Sequence, residues 1–251
     1  LSTESVSHRG RRLHHAIALR HYDTTAGLLP CFIEDGHSMP YALPAAADAA
    51  VLDVIERSFA ALGIEDGVLK GDLLIRADGS VHVLEMAART SGGRFADTVV
   101  PLATGTNILY PLVELAMGDA FSRDWFSPLR SAGVSQRFFL PRAPAQVRRW
   151  PAIRRLVARP GVAEVRLDER LFRTGALPAI QSHRDRLGYV IVAAPTREEA
   201  DQQALEITRD FARELVLEPQ SWSEAAREAR SEPRREAIPP LGPTSRYEVV
   251  R

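Results

Sequence analysis

Two apolar segments joined by an Asp-Gly pair constrain the fold of this chain more than any other feature. The segments occupy residues 68–75 and 81–89, and the Asp-Gly pair at 78–79 lies between them. This pattern is typical of a β-hairpin with a tight turn. If the Asp-Gly pair supplies the two central turn residues, Asp72 lies directly opposite Glu85 on the neighbouring strand. A three-residue turn would instead place the two carboxylates diagonally.

Directly opposed carboxylates repel each other, so the pairing of Asp72 with Glu85 requires a compensating charge. Mg²⁺ is usually held by one or two carboxylates together with substrate phosphates, which makes this pair a candidate metal site. In the structural alternative, Asp72 is a solvated strand residue and Glu85 forms a salt bridge with Lys70 or Arg89. Both strands are otherwise apolar on both faces. That pattern predicts interior strands of a covered sheet, where carboxylates must be paired or coordinated.

A cation and a small-residue loop follow the hairpin. Arg89 comes four residues after Glu85, and Ser91, Gly92 and Gly93 come next. The planar guanidinium of an arginine holds carboxylate or phosphoryl oxygens in a fixed geometry. Backbone N–H groups of a small-residue loop can approach an anionic substrate closely. A metal site, a fixed cation and such a loop are the groups that phosphoryl transfer or acyl-phosphate chemistry needs.

These segments resemble the C-terminal half of the ATP-grasp fold, and they are most similar to carboxylate–amine ligases of the L-amino acid ligase type. The resemblance rests on GVLKGDL at 67–73, VLEMAARTSGG at 83–93, DTVVP at 97–101 and ATGTN at 103–107. It implies an α+β fold, in which the C-terminal part of an ATP-grasp domain (an antiparallel sheet with helices) precedes a small α/β split-sandwich lobe. The implied boundaries are 1–120 for the ATP-grasp subdomain, 134–217 for the lobe and 218–251 for an exposed tail.

The resemblance also implies roles for individual residues. In the family, the acidic residues that match Asp72 and Glu85 hold Mg²⁺ with ATP, Mn²⁺ being the alternative metal, and the arginine that matches Arg89 steadies an acyl-phosphate. The implied reaction is ATP-dependent ligation of a small carboxylate to an amine, both of the amino-acid class. The other implied site residues are Glu4 and Lys70 for the cofactor ATP, and Ser91, Gly92 and Gly93 for the substrate.

The chain departs from the family pattern in two respects. Ala87 stands where many members have a metal-binding asparagine, which puts a third metal ligand in doubt. The family's adenine-binding lysine and glycine-rich phosphate flap precede the point that matches Leu1. We therefore expect a piece of a longer enzyme, whose missing N-terminal portion completes the nucleotide site. Two alternatives stay open: a non-catalytic regulatory or scaffold module with an ATP-grasp-like fold, and an ATP-dependent carboxylase of the biotin-carboxylase type.

The charge balance argues against some partners. The 251 residues include 32 Lys and Arg and 32 Asp and Glu, so nothing indicates non-specific nucleic-acid binding. No apolar run approaches membrane-spanning length, and no membrane partner is expected. The single Cys31 excludes an internal disulfide and a CxxC metal motif. These features fit a cytoplasmic enzyme, and a homodimer is compatible with them.

Hydrophobic periodicity and capping residues predict the remaining elements. A strand pair is expected within 1–22, turning near Arg9-Gly10, and a loop over 36–44. The predicted helices cover 45–62, 107–117 with Thr106 as its cap, a basic amphipathic 147–158, and 197–215 with Thr196 as its cap. Further strands are predicted at 134–140, 162–167 and 187–194.

Overall fold

The fold is α+β, as expected, and its centre is one eight-stranded antiparallel sheet. The structure is a computed structural model that describes residues 1–25, 31–118 and 123–219. The predicted tail lies outside these residues from position 220 onward. The strands of the sheet are β1 (Ser2–His8), β2 (Arg11–His21), β3 (Gly36–Met39), β4 (Gly67–Ile75), β5 (Val81–Ala87), β6 (Gly133–Phe139), β8 (Val162–Leu167) and β10 (Gly188–Ala194). Their spatial order is β5-β4-β1-β2-β3-β6-β10-β8.

A smaller sheet and several helices complete the described part of the chain. The three strands β7 (Ala145–Arg149), β9 (Ala176–Leu177) and β11 (Val216–Pro219) pair in the order β11-β7-β9. The helices are α1 (Ala45–Leu62), α2 (Val100–Thr104), α3 (Leu109–Met117), α4 (Ile153–Val157), α5 (Glu169–Thr174) and α6 (Arg197–Glu214), with a π-helical turn at Phe95–Val99 and 3₁₀ turns at Arg123–Phe126 and His183–Asp185. Within these residues no single helix is long and apolar enough to cross a membrane. The segments Phe95–Thr104 and Leu109–Met117 reach that threshold only together, with a bend of 119° between them.

The two long helices cover one face of the large sheet. α1 packs its buried residues, among them Val51 and Ile55, against Leu69 and Leu73 of β4. α6 packs Ile207 and neighbouring apolar side chains against the strands at the other end of the sheet. Side chains alternate between the two faces of each strand. The opposite face is therefore left for the π-helical turn, for α2 and for polar residues.

Two of the predicted helices begin and end where local sequence signals place them. α1 spans 45–62, and Gly63 ends it in the left-handed conformation (φ 67°) that glycine adopts without steric cost. α6 begins after Thr196, whose side chain and that of Glu199 form a reciprocal capping box. Both predictions are confirmed, although α6 ends at residue 214 instead of 215.

Three other predictions were wrong. The expected loop at 36–44 begins with strand β3. The expected helix at 147–158 is a strand followed by the short α4, because Pro151 removes the backbone donor that a continuous helix requires. The helix predicted at 107–117 is α3, which begins at Leu109, and the side-chain oxygen of Asn107 accepts the Leu109 N–H at 3.0 Å. Thr106 does not cap it, because its hydroxyl donates to the Ser127 carbonyl at 2.7 Å.

The hairpin pairs Asp72 with Glu85, but by a different route from the one expected. Ile75 pairs with Val81, and the Arg76 N–H donates to the Ser80 carbonyl at 3.0 Å, so that residues 77–79 form a three-residue turn. An irregularity in the register between Asp72 and Leu73 then leaves Leu84 as an extra residue on β5. Such a bulge shifts the register by one position. The longer turn and the bulge therefore compensate each other, and the two carboxylates end up directly opposed.

The expectation that both hairpin strands are interior was also wrong. β5 is the edge strand of the sheet. Its residues Val83 and Leu84 are 49% and 67% exposed, and Leu74 of β4 is 47% exposed. The division into an ATP-grasp subdomain and a separate lobe stays a prediction. One sheet runs through both segments, because β3 pairs with β6.

Candidate functional site

The strand register places the predicted polar residues on one face of the sheet. Glu85 pairs with Asp72, and Asp72 pairs with Ser2 of β1. In the next row of the same face, Lys70 pairs with Glu4. Residues that pair directly across antiparallel strands project to the same side. All of these side chains therefore point away from α1 and toward the side on which the Ser91–Gly93 loop lies.

Lys70 lies at the centre of the carboxylate pair. Its ammonium donates a hydrogen bond to Asp72 Oδ2, and its Nζ is 3.4 Å from Glu85 Oε1. Asp72 also forms an ion pair with Arg20, whose Nη2 is 3.0 Å from Asp72 Oδ1, and it accepts the Ser2 hydroxyl at 3.1 Å. Asp72 is buried, whereas the Glu85 side chain is 52% exposed. The pair is thus compensated by cationic side chains.

Arg89 lies at the mouth of the site. Its Nη2 is 3.5 Å from Glu85 Oε1, and its Nη1 donates to the Thr90 carbonyl at 3.1 Å. The side chain is 55% exposed. Its guanidinium therefore has edges free for an anionic group in the adjoining cavity.

Glu4 holds the loop that follows Arg89. Its carboxylate is fully buried and accepts a hydrogen bond from the Ser91 N–H. The Ser91 nitrogen lies 3.0 Å from Oε2 and 3.3 Å from Oε1. Burial raises the pKa of Glu4 to about 7 in spite of this hydrogen bond. The implied contact of Glu4 with ATP stays a prediction, and in this structure its carboxylate fixes the loop.

The loop lines a cavity of about 220 Å³. Ser91, Gly92 and Gly93 form part of its wall, as do Lys70 and Arg89. A Cβ built at either glycine would meet nothing within 4 Å, so the absence of a side chain at these positions keeps the cavity open. The loop residues therefore meet Lys70 and Arg89 at one concave surface. These two cations in turn contact the carboxylate pair.

Four residues that the sequence reading did not select also line this cavity: Arg20, Glu34, His37 and Arg186. Burial alone would raise the pKa of Glu34, but His37, Arg20 and Arg186 outweigh it and hold the value at about 2. Glu34 is therefore an ionised carboxylate inside a mainly cationic cavity. The signal that could have identified it is the polar run Glu34–His37 in an otherwise apolar stretch, which directly adjoins and partly overlaps the predicted loop at 36–44.

Several buried polar atoms around the cavity have no hydrogen-bond partner. Among the described residues, the buried side-chain atoms in this state are Arg20 Nε, His37 Nε2, Ser91 Oγ, Arg186 Nε and both amide atoms of Gln136. Four of these five residues line the cavity. Buried polar groups in native proteins are nearly always satisfied, so their concentration here points to a polar ligand.

The fit to a divalent metal rests on the carboxylate pair. Oxygen donors from Asp72 and Glu85 suit Mg²⁺ or Mn²⁺ chemically. In the part of the chain that the structure describes, no group of three His, Cys, Asp or Glu residues could hold a metal ion. The remaining ligands of a metal at the pair would therefore come from water or from a bound group such as a nucleotide phosphate, and the metal would have to accommodate Lys70.

The fold and part of the chain match known proteins. The L-amino acid ligase from Bacillus licheniformis superposes with a TM-score of 0.70 at 20% sequence identity, over 87% of this chain and 53% of that one. The chain has the fold of the ATP-grasp ligases. Residues 137–212 match the family model described as L-amino acid ligase C-terminal domain 2.

Two further solved structures share the ATP-grasp fold. Phosphoribosylglycinamide synthetase from Anaerococcus prevotii has a TM-score of 0.64 at 12% identity, over 87% of this chain and 53% of that one. A biotin carboxylase complex from Campylobacter jejuni has a TM-score of 0.51 at 15% identity, over 86% of this chain and 45% of that one. The chain therefore spans about half the length of these ATP-grasp structures. No curated protein matches it.

Proposed function

We propose that this chain is part of an ATP-dependent carboxylate–amine ligase that acts in the cytoplasm through an acyl-phosphate. It would contribute the wall of the nucleotide site that carries the metal ligands Asp72 and Glu85. The observation that carries the proposal is the cavity lined by Lys70, Arg89 and the small-residue loop, beside which Lys70 contacts the carboxylate pair. Unpartnered polar atoms from Arg20, His37 and Arg186 surround the same space. An ATP-grasp fold with this cavity suits a reaction in which a carboxylate is phosphorylated and an amine then displaces phosphate.

In the proposed reaction, the cationic groups hold the reacting anions. The Arg89 guanidinium binds the substrate carboxylate and then the acyl-phosphate oxygens, and it stabilises the charge that develops during transfer. Gly92 and Gly93 lie on the same wall, and their N–H groups would orient the anion. A bound Mg²⁺, held by Asp72 and Glu85, would supply charge neutralisation at the nucleotide phosphates.

Glu34 supports an amino acid as the substrate class. It is an ionised carboxylate in a cavity whose lining also includes the cationic side chains of Arg20, Arg186, Lys70 and Arg89. A substrate that carried only negative charge would gain nothing from this group. A zwitterionic amino acid would place its ammonium at Glu34 and its carboxylate toward the arginines.

The test is ADP release by the full protein that carries this chain, measured with pairs of amino acids and Mg²⁺. We expect Glu85→Gln to lower the rate by about 100-fold or more, because the change removes the charge and keeps the shape. Glu56→Gln is the matched control, since Glu56 pairs with Arg12 at 2.7 Å and its side chain is 48% exposed. Equal rates for the Glu85 variant and the parent would contradict the proposal.

A separate measurement tests the 251-residue chain alone. We expect it to bind ATP weakly and to release no ADP, because one wall of a nucleotide site neither excludes water nor positions the reacting groups. Calorimetry with ATP and Mg²⁺, together with an ADP-release assay, measures both properties. Tight binding or turnover by this chain would show that it contains more of the nucleotide site than the proposal assigns to it.

The non-catalytic alternative also has one specific observation in its favour. Ala87 supplies no ligand where the family has asparagine, and Lys70 already compensates the carboxylates. A regulatory module would bind its ligand in the same cavity without turnover. Ligand binding by the full protein with no ADP release for any amino-acid pair would favour this alternative.

A further inference from the structure

The position of Lys70 bears on how the carboxylate pair meets a metal. Lys70 lies on β4 two residues before Asp72, so both side chains project from the same face of the sheet. Lys70 is only 6% exposed. The ammonium donates to Asp72 Oδ2 and has its Nζ 3.4 Å from Glu85 Oε1. A buried ammonium group thus lies between the two carboxylates.

The carboxylate oxygens are already engaged by cations and donors. Both oxygens of Asp72 have partners, because Oδ1 meets Arg20 Nη2 at 3.0 Å and the Ser2 hydroxyl at 3.1 Å while Oδ2 accepts from Lys70. Glu85 is approached by Arg89 as well as by Lys70. Two carboxylates therefore face three cationic side chains. A divalent ion added to this arrangement would experience repulsion from all three.

We propose that Lys70 is the resident cation of the carboxylate pair, and that a divalent metal binds there only when the Lys70 ammonium moves away. The inference rests on the proposed function, which assigns Asp72 and Glu85 as the metal ligands. The ammonium is carried on a flexible four-carbon stem, and it lines the cavity. A polyphosphate bound in that cavity would accept the displaced ammonium, so metal and nucleotide would bind with positive coupling.

The test uses Mn²⁺ alone, titrated into the 251-residue chain without nucleotide and followed by electron paramagnetic resonance. We expect K70M to bind one Mn²⁺ at least tenfold more tightly than the parent chain. The double variant K70M/E85Q should lose that gain. K70R, which keeps the charge, should behave as the parent does.

Circular dichroism first establishes that each variant folds, and K70Q replaces K70M if the methionine variant does not. Parent binding as tight as that of K70M would overturn the role of Lys70. If E85Q abolished this tight Mn²⁺ binding by the parent chain, the assignment of Asp72 and Glu85 as metal ligands would still hold. Absence of Mn²⁺ binding in both K70M and K70Q would also overturn the role of Lys70. The ligase reaction of the proposed function is tested separately by ADP release.

Discussion

Arg94 and Glu164, which are 70 positions apart in the chain, are joined by two hydrogen bonds. Arg94 Nε and Nη2 donate to Glu164 Oε2 at 3.0 Å and 2.8 Å, and the Tyr189 hydroxyl donates to Oε1 at 2.6 Å. The interaction with Glu164 raises the pKa of Arg94. Arg94 directly follows the Ser91–Gly93 loop and has a left-handed φ of 71°. The strand β8 therefore holds the end of the loop that lines the cavity.

The first prediction concerns this contact. Glu164→Gln keeps the size of the side chain but removes its charge, and charge-assisted hydrogen bonds to partly exposed groups are worth about 1 kcal/mol. We expect amide hydrogen exchange at residues 91–93 to accelerate about fivefold, the equivalent of that energy. Asp97→Asn is the control, because Asp97 contacts Arg94 Nη1 at 2.6 Å and leaves the contacts with Glu164 intact. Unchanged exchange in the Glu164 variant would mean that the loop is held by other contacts.

The second prediction concerns pH. Burial raises the pKa of Glu4 from its ordinary value of 4.5 to about 7. Between these values the folded chain holds a proton that the unfolded chain has released, so this group lowers the free energy of unfolding as pH rises through that window. The full effect is about 3 kcal/mol at most. Glu4→Gln removes this dependence.

Urea denaturation of the parent and of Glu4→Gln at pH 5 and pH 8 measures this effect. The stability of the variant relative to the parent should increase with pH, and titrations elsewhere in the chain cancel in the comparison. A constant difference between the two proteins would show that Glu4 has an ordinary pKa.

The third prediction concerns a buried ion pair network. Arg137 is 2% exposed and donates to both oxygens of Asp201 at 2.8 Å and to Asp35 Oδ1 at 3.0 Å. Arg137→Met would leave two carboxylates without their cation, which costs about 3–5 kcal/mol. Arg148→Met should change stability by less than about 1 kcal/mol, because Arg148 pairs with Glu218 where both side chains are exposed. Thermal denaturation distinguishes the two outcomes, and similar losses would contradict the role of burial.

The fourth prediction compares two glycines near the site. A Cβ at Gly71 would lie 2.6 Å from Thr3 Oγ1 and 2.9 Å from Met86 Sδ, whereas one at Gly92 would meet nothing within 4 Å. Gly71→Ala should therefore destabilise the chain by about 1–3 kcal/mol through overpacking. Gly92→Ala should leave stability within about 0.5 kcal/mol and should weaken ligand binding, because Gly92 lines the cavity. Denaturation midpoints and calorimetry measure the two effects, and a fully tolerated Gly71→Ala would refute the packing argument.

Local signals in the sequence account for the elements that were predicted well. The capping box at Thr196 and the glycine at position 63 lie within a few residues of the helix ends that they determine. The opposition of Asp72 and Glu85 was expected from the hairpin pattern alone, although the turn and the bulge that produce it were not. A bulge at an edge strand has no distinct signature in an apolar segment.

The cavity was predicted only in part, because its wall is assembled across strands that are distant in sequence. Arg20, His37 and Gln136 form one row through the pairing of β2, β3 and β6. Strand β3 has four residues and ends before a proline, so its local pattern resembles a loop. In 147–158 the apolar periodicity favoured a helix, but Pro151 divides the segment. Only the tertiary pairing reveals which polar residues share a face.

The position of β3 in the sheet limits how this chain can be divided. β3 hydrogen-bonds to β2 on one side and to β6 on the other. Truncation between residues 118 and 133 would therefore leave β3 with a row of unpaired backbone donors and acceptors, an open edge that recruits strands from other chains. We expect such truncated pieces to aggregate, so that recombination or expression in halves would fail between the two expected domains at 1–120 and 134–217.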